Sequence, residues 1–277
     1  MSQLPSKPQT SHAGADEIRQ TVRKAYSEVA EADSSNDCCG EASSCCGVSD
    51  DEQINTIISS RLGYSQSDRD MVPDGADMGL GCGNPRAIAS LKAGESVLDL
   101  GSGGGFDAFL AAQEVGDSGH VIGVDMTPTM ISKARKNAEK GEFTQVEFRL
   151  GEIEHLPVAN DSMDVIISNC VINLSPNKAQ VFREMFRTLK TGGRLAISDV
   201  VATTELPESM RSDTYLHSAC VGGAETIDVL KKIMQQAGFS QIKIEPKDES
   251  REFIRDWAPG KKVEDYVLSA TIEAIKE

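Results

Sequence analysis

Apolar residues recur at helical spacing from Asp16 onward. Ile18, Val22, Ala25 and Val29 share one face and predict a helix reaching about Ala32. The segment Asp33–Gly47 is built from Cys, Ser and Gly and has no periodicity. Ile54, Ile57, Ile58 and Leu62 then mark a shorter helix, with Ser49 or Asp50 as its N-cap. The glycine-rich stretch Gly75–Pro85 closes on Asn-Pro and reads as a loop. From Glu95 the texture changes. SVLDLG, HVIGVD, VEFRLG, MDVIIS and RLAISDVV are short apolar runs that predict strands. Helical segments separate them: one around Phe109, Leu110 and Ala112, one over Thr127–Lys140 with Thr127 as N-cap and Pro128 at its first position, and one over Pro176–Leu189 that stops at Gly192–Gly193. A helix over Thr226–Ala237, a strand over Gln241–Glu245 and a closing strand over Tyr266–Ile275 complete the chain. This alternation predicts an α/β fold, a parallel sheet with helices on both faces.

The pattern divides the chain into four parts: a disordered arm at 1–14, a helical and Cys-rich segment at 15–89, a core at 90–200, and a C-terminal region at 201–277. Residues 205–225 of the last part are expected to cover the site, and its final strand to complete the sheet. The length of 277 residues suits one large domain with an appendage. Lys+Arg 28 against Asp+Glu 43 gives a net charge of −15, which argues against nucleic acid or an anionic membrane as partner. No apolar run approaches the ~18 residues of a spanning helix. The first residues carry no apolar segment after their charges, so no secretory signal is read and a cytoplasmic location is expected.

The seven cysteines are an odd number, unsuited to a complete disulfide framework. Cys38, Cys39, Cys45 and Cys46 cluster, whereas Cys82, Cys170 and Cys220 stand apart. Gly101, Gly103, Gly104 and Gly105 lie between the first strand and a helix, where backbone can approach a ligand closely. A dinucleotide fingerprint needs a third glycine where Phe106 stands, which weakens that reading. Asp125 ends the second strand and can accept both hydroxyls of a ribose. Glu152 follows the third strand and Asp164 opens the fourth.

Together these features resemble the class I S-adenosylmethionine-dependent methyltransferases. The resemblance implies a Rossmann-like doubly wound sheet. It also implies that Gly101–Gly105 cradle the methionine part of S-adenosylmethionine, that Asp125 and Met126 hold the ribose, and that Glu152 and Ile153 flank the adenine. Asp99, Ser102 and Asn169 complete the implied cofactor set.

Methyl transfer to oxygen or nitrogen often uses a general base. The four histidines are poor candidates: His12 sits in the arm, His120 starts a strand, and His155 and His217 read as surface residues. Cys170 instead ends the fourth strand, and Cys82 and Cys220 lie beside glycines. Three such thiols suggest a three-thiolate site for a soft ion. Zinc would want a fourth ligand and C-x-x-C pairs, which the chain lacks, so no metal cofactor is expected.

AYSEVA, the CCG segments, GLGCGNP, DLGSGGGFD, GVDMTPTMI, ISNCVINLSPNK and CVGGA resemble the arsenite S-adenosylmethionine methyltransferases along nearly the whole chain. The resemblance implies that Cys170 and Cys220 bind arsenic(III) and that Cys82 is a third active cysteine. Cys82 would also pair with an N-terminal cysteine in a disulfide whose formation returns methylated arsenic to the trivalent state. Cys45 is the preferred partner, with Cys38, Cys39 and Cys46 open. Arsenite, methylarsenite and their thiol conjugates would be substrates, and thioredoxin or glutathione the reductant. Two other readings stand beside this one: a methyltransferase of a small quinone- or sterol-like acceptor, and a non-catalytic thiol-rich metalloid-binding protein. If Cys82 serves both arsenic and a disulfide, residues 38–47 and 76–84 are expected to move until arsenite binds.

Overall fold

The computed structural model describes residues 12–32 and 50–277. Cys38, Cys39, Cys45 and Cys46 lie outside the described residues, as does all of the arm before His12. The helices are α1 His12–Ala32, α2 Asp50–Arg61, α3 Gln66–Asp70, α4 Arg86–Ala89, α5 Phe106–Val115 and α6 Pro128–Lys140. They continue with α7 Lys178–Thr188, α8 Glu208–Arg211, α9 Thr214–Ser218, α10 Ile227–Ala237 and α11 Arg251–Ile254. The strands are β1 Ser96–Leu100, β2 His120–Asp125, β3 Val146–Leu150, β4 Met163–Asn169, β5 Leu189–Ala202, β6 Ser240–Lys247 and β7 Val267–Ile275.

These strands form one sheet in the order β3-β2-β1-β4-β5-β7-β6. The first five pair in parallel, and β7 runs antiparallel between β5 and β6. The expected parallel sheet is therefore a mixed one. Successive side chains of a strand point to opposite faces. Val97 of β1 joins Phe109 of α5 and Ile131 of α6 in one core. Leu98 and Leu100 join Phe182 of α7 and Met234 of α10 in the other. Phe109 and Phe182 are fully buried, each contributing about 1.5–3 kcal/mol. A third apolar cluster contains Cys82, Cys170 and Cys220 together with Val22 of α1 and Leu216 of α9.

Two boundaries differ from expectation. α7 ends at Thr188, and β5 begins at once, so Gly192–Gly193 lie inside the strand rather than stopping the helix. The register with β4 shifts there, and both glycines bond the backbone of Lys276. Asp164, read as a cofactor-family feature, sits at the opposite end of β4 from Cys170. It accepts the Ser96 N–H and the Lys190 ammonium, so it ties strands rather than serving the site. Among the described residues, no helix is long and apolar enough to cross a membrane.

Candidate active site

β1 has β2 on one side and β4 on the other, so the chains leaving β1 and β4 diverge. Such a reversal opens a crevice at the carboxyl ends of parallel strands. A cavity of about 620 Å³ occupies it. Gly101–Gly104 line it after β1, Asp125–Thr127 after β2, Ile153 and Glu154 after β3, and Asn169–Val171 after β4. Cys220 contributes from the turn after α9, and α1 roofs the space with Arg19, Val22 and Tyr26.

At one end the cavity is acidic. Asp125 Oδ2 accepts the Gly103 N–H at 3.1 Å and Oδ1 accepts the Thr127 N–H at 2.8 Å. Burial nevertheless pushes its carboxyl above the usual range. Asp99 is raised further by burial, with the charges of Asp107 and Asp125 adding to the effect. Asp107 is pushed up to about 6 by burial, against hydrogen bonds from Tyr64 and Asn169 that favour its charged form. Asp99 Oδ2 and Ser102 Oγ are buried with no hydrogen-bond partner, and both residues line the cavity. Gly103 has a positive φ, and a Cβ there would meet nothing within 4 Å. Carboxylates that repel one another, orphaned polar atoms and an open glycine cradle suit a ligand that is cationic and bears hydroxyls. S-adenosylmethionine, with its sulfonium, ammonium and ribose, fits this set.

Of the residues expected to hold the cofactor, Asp99, Gly101, Ser102, Gly103, Asp125, Met126, Ile153 and Asn169 line the cavity. Gly105 and Glu152 do not. Gly105 turns the chain into α5 against Phe109 and Phe148. Glu152 faces Arg19 and Arg23 of α1 at 3.3 and 3.5 Å. Its neighbour Glu154 lines the cavity instead, accepting Arg19 at 3.0 Å and Ser175 Oγ at 2.8 Å. Sequence reasoning missed Glu154, Asp107 and Tyr26. Tyr26 had a signal, since it stands one helical turn after Val22 on the apolar face of α1.

At the other end Cys170 and Cys220 line the cavity, and Cys82 joins them in one buried cluster without lining it. Cys82, Cys170 and Cys220 are reduced and buried. The neighbouring thiols of Cys220 and Cys82, together with burial, raise the Cys170 thiol well above its ordinary value. Burial also raises Cys82. Cys220 Sγ donates to the Cys170 carbonyl at 2.7 Å. Both Cys170 and Cys220 have left-handed backbone, at φ 60° and 61°. Such conformations cost energy outside glycine and gather at functional sites. The two turns lock together: a Cβ at Gly223 would stand 2.0 Å from the Asn173 carbonyl, so the CVGGA turn needs glycine to reach the turn after β4. Asn173 in turn donates to Asp199 Oδ1 and to the Val200 carbonyl.

The Cys82 loop, expected to move, is fastened here. The Cys82 N–H donates to Asn169 Oδ1 at 3.0 Å, and Ser269 Oγ donates to the Cys82 carbonyl at 2.6 Å. Movement of residues 76–84 has to break these bonds. Residues 38–47, the other segment expected to move, and Cys45 within it, lie outside the described residues. Among the described residues, no group of three or more His, Cys, Asp or Glu is disposed to hold a metal ion. The Cys220 thiol donates to a carbonyl and has to turn before all three sulfurs face a single atom. No described histidine lines the cavity. His120 and His155 are exposed. His217, expected at the surface, is half-buried with its Nε2 3.2 Å from the Leu174 carbonyl.

A methyltransferase-domain family profile matches residues 91–238. The chain is 53% identical, over 94% of its length, to the arsenite methyltransferase of Halobacterium salinarum, of which it spans 67%. It is 45% identical to the arsenite methyltransferase of Homo sapiens over 52% of this chain and 40% of that one. For the arsenite methyltransferase of Aquipseudomonas alcaligenes the figures are 44% identity, 59% of this chain and 49% of the relative. The chain thus spans about two thirds of the first of these relatives and half or less of the others. Among solved structures, the arsenic(III) S-adenosylmethionine methyltransferase of Chlamydomonas reinhardtii superposes with a TM-score of 0.61 at 32% identity, covering 79% of this chain and 73% of the other. A cofactor crevice, three convergent thiols and this degree of likeness lead to one family: the chain belongs to the S-adenosylmethionine-dependent methyltransferases and, within them, to the arsenite methyltransferases.

Proposed function

We propose that this chain transfers the methyl group of S-adenosylmethionine to arsenic(III) held by Cys170, Cys220 and Cys82, accepting arsenite, methylarsenite and their thiol conjugates. The observation that carries this reading is the gathering of three thiols, from segments far apart in sequence, in one buried cluster at the end of the cavity opposite its carboxylates. When bound, S-adenosylmethionine supplies an electrophilic methyl carbon on a sulfonium. Asp125 and Met126 would hold its ribose, Ile153 would flank the adenine, and Asp99, Ser102 and the glycine loop would hold the methionine part. Glu152 and Glu154 fasten the roof helix α1 through Arg19 and Arg23, which keeps water from the transfer path. The thiolates hold arsenic as a trigonal pyramid whose lone pair points away from the sulfurs. That lone pair is the nucleophile, so no proton leaves during attack and no general base is needed.

Arsenic becomes pentavalent on methylation. Two thiols that form a disulfide release two electrons and two protons, which returns it to the trivalent state. Cys82 and an N-terminal cysteine, Cys45 by preference, are the pair assigned to that step, and thioredoxin or glutathione reopens the disulfide. This chemistry needs a reducing compartment, in keeping with a cytoplasmic setting. The fourfold division into arm, Cys-rich segment, cofactor core and C-terminal cover fits the same scheme.

Incubation with arsenite, a thiol and labelled S-adenosylmethionine tests the reading. Labelled methylarsenicals are expected. Arsenic binding without turnover would point to a metalloid-binding protein, and neither binding nor turnover to another acceptor.

A further inference from the structure

Arsenite in water is a hydroxide of arsenic. Each bond from a thiol to arsenic therefore releases water: S–H and As–OH become S–As and H₂O, with arsenic trivalent throughout. The thiol must lose a proton and the departing hydroxide must gain one. Both events are hard in a buried site that excludes water. A hydroxyl placed between the two groups moves both protons at once.

Tyr26 of α1 is such a group. It packs against the buried cluster that holds Cys170 and Cys220, and all three side chains line the cavity. Its hydroxyl donates to the carbonyl of Ser218, two residues before Cys220, at 3.5 Å and is held only loosely. The remaining oxygen acids near this point are committed. Asp125 accepts the Gly103 and Thr127 amides, and Glu154 accepts Arg19 and Ser175. His217 is turned to the Leu174 carbonyl and does not line the cavity.

We propose that Tyr26 is the catalytic proton relay for loading arsenite onto Cys220. The Cys220 S–H turns from the Cys170 carbonyl to the phenol oxygen while the phenol O–H passes its proton to the arsenic-bound hydroxyl. The As–O bond breaks, the As–S bond forms, water leaves, and the phenol ends as it began. This role rests on the reading that Cys220 is an arsenic ligand, and it precedes methyl transfer. A relay accelerates loading and release alike, so it changes rates and leaves the affinity in place.

The test compares two arsenic donors in the wild-type protein and in Tyr26→Phe. Trp257, the only tryptophan of the chain, lines the cavity and reports loading by its fluorescence in stopped flow. Bound arsenic is counted in parallel by the mass of the quenched protein. With arsenite, Tyr26→Phe is expected to load about 100-fold more slowly, the usual scale of a lost acid–base group, and to reach the same final occupancy. With the tris-glutathione complex of arsenic(III), the leaving thiolate needs no acid to depart and takes the Cys220 proton itself to become free glutathione, so no relay is required and the two proteins should load at similar rates. Equal slowing with both donors would mean a merely structural role and would overturn the relay, as would no slowing with arsenite. A wild-type protein that binds arsenic from neither donor would remove the thiolate reading itself, and the relay with it.

Discussion

Asn169 grips the Cys82 loop by its backbone: Asn169 Oδ1 accepts the Cys82 N–H at 3.0 Å, and Asn169 Nδ2 donates to the Gly83 carbonyl at 2.8 Å. The same Nδ2 also approaches the Tyr64 hydroxyl at 3.1 Å and Asp107 Oδ2 at 3.3 Å. Tyr64 donates to Asp107 Oδ1 at 2.6 Å. One amide thus connects a thiol-bearing loop to the first turn of the helix that follows the glycine loop.

Asn169→Ala leaves the N–H of a buried cysteine without a partner, at a cost of about 1–3 kcal/mol. The expected result is a looser Cys82 loop, alkylated faster by iodoacetamide when labelling is resolved by peptide, with weaker arsenite binding. Labelling of Cys82 at the wild-type rate would show that Ser269 alone holds the loop.

Gly101 and Gly103 separate two ways of damaging the cofactor loop. Gly101 has φ 70°, and its added Cβ would stand 2.2 Å from Val171 Cγ2. Gly101→Ala therefore forces apart the first loop and the turn that carries Cys170, and both S-adenosylmethionine and arsenite binding should fall together with the melting temperature. Gly103 has φ 49°, and its Cβ would enter open space. Gly103→Ala should lose only the roughly 1–2 kcal/mol of left-handed backbone cost while blocking the space the cofactor needs. Calorimetry with each ligand, beside thermal unfolding, distinguishes the two outcomes.

Much of this was legible in the sequence, for reasons tied to particular residues. The five parallel strands announce themselves as apolar runs because helices cover both faces of the sheet. Asp125 and Ile153 follow from the regular placement of loops after β2 and β3. The antiparallel β7 has no local signature, since strand direction depends on partners remote in sequence. Glu152 and Glu154 are two residues apart in one short loop and both meet Arg19, and only the fold decides that Glu154 turns into the cavity while Glu152 also reaches Arg23. Gly192–Gly193 looks like a helix stop because glycine serves both helix ends and strand irregularities. Tyr26 was hidden because an aromatic residue on an apolar helix face ordinarily reads as core.

Asp199 predicts a pH dependence. Its carboxylate accepts the Ile172 and Val200 amides and the Asn173 side chain, yet burial raises it from the ordinary carboxylate range to about 6. A carboxyl raised in the folded state favours folding fully below its unfolded value. That contribution is lost as pH rises from about 4 through about 6, and for this shift it amounts to roughly 3 kcal/mol. Asp199→Asn removes the titration, so the difference in stability between variant and wild type should grow in the variant's favour from pH 4 to pH 7. Denaturant midpoints across that range measure it. A constant difference would mean that the amide donors hold Asp199 at its ordinary value.

Cys170 and Cys220 invite substitutions that separate ligand chemistry from backbone geometry. Serine keeps the size and position of the side chain but offers a hard oxygen in place of a soft sulfur. Cys170→Ser and Cys220→Ser should therefore fold and bind S-adenosylmethionine, and neither should retain arsenite or methylate it. Both positions have left-handed backbone, at φ 60° and 61°. Glycine adopts that conformation without the penalty that alanine bears, about 1–2 kcal/mol. Cys170→Gly should accordingly be more stable than Cys170→Ala, although both lose the thiol and neither binds arsenite. The same order should hold at Cys220. The two effects then run in opposite directions at the same residue: the sulfur serves the substrate, and the backbone that presents it is held at the expense of stability. Chemical denaturation of the glycine and alanine variants, with arsenite binding measured on each, tests both halves. Equal stabilities would mean that the turns after β4 and α9 relax when the thiol is lost, and that the thiol contacts themselves impose the left-handed geometry.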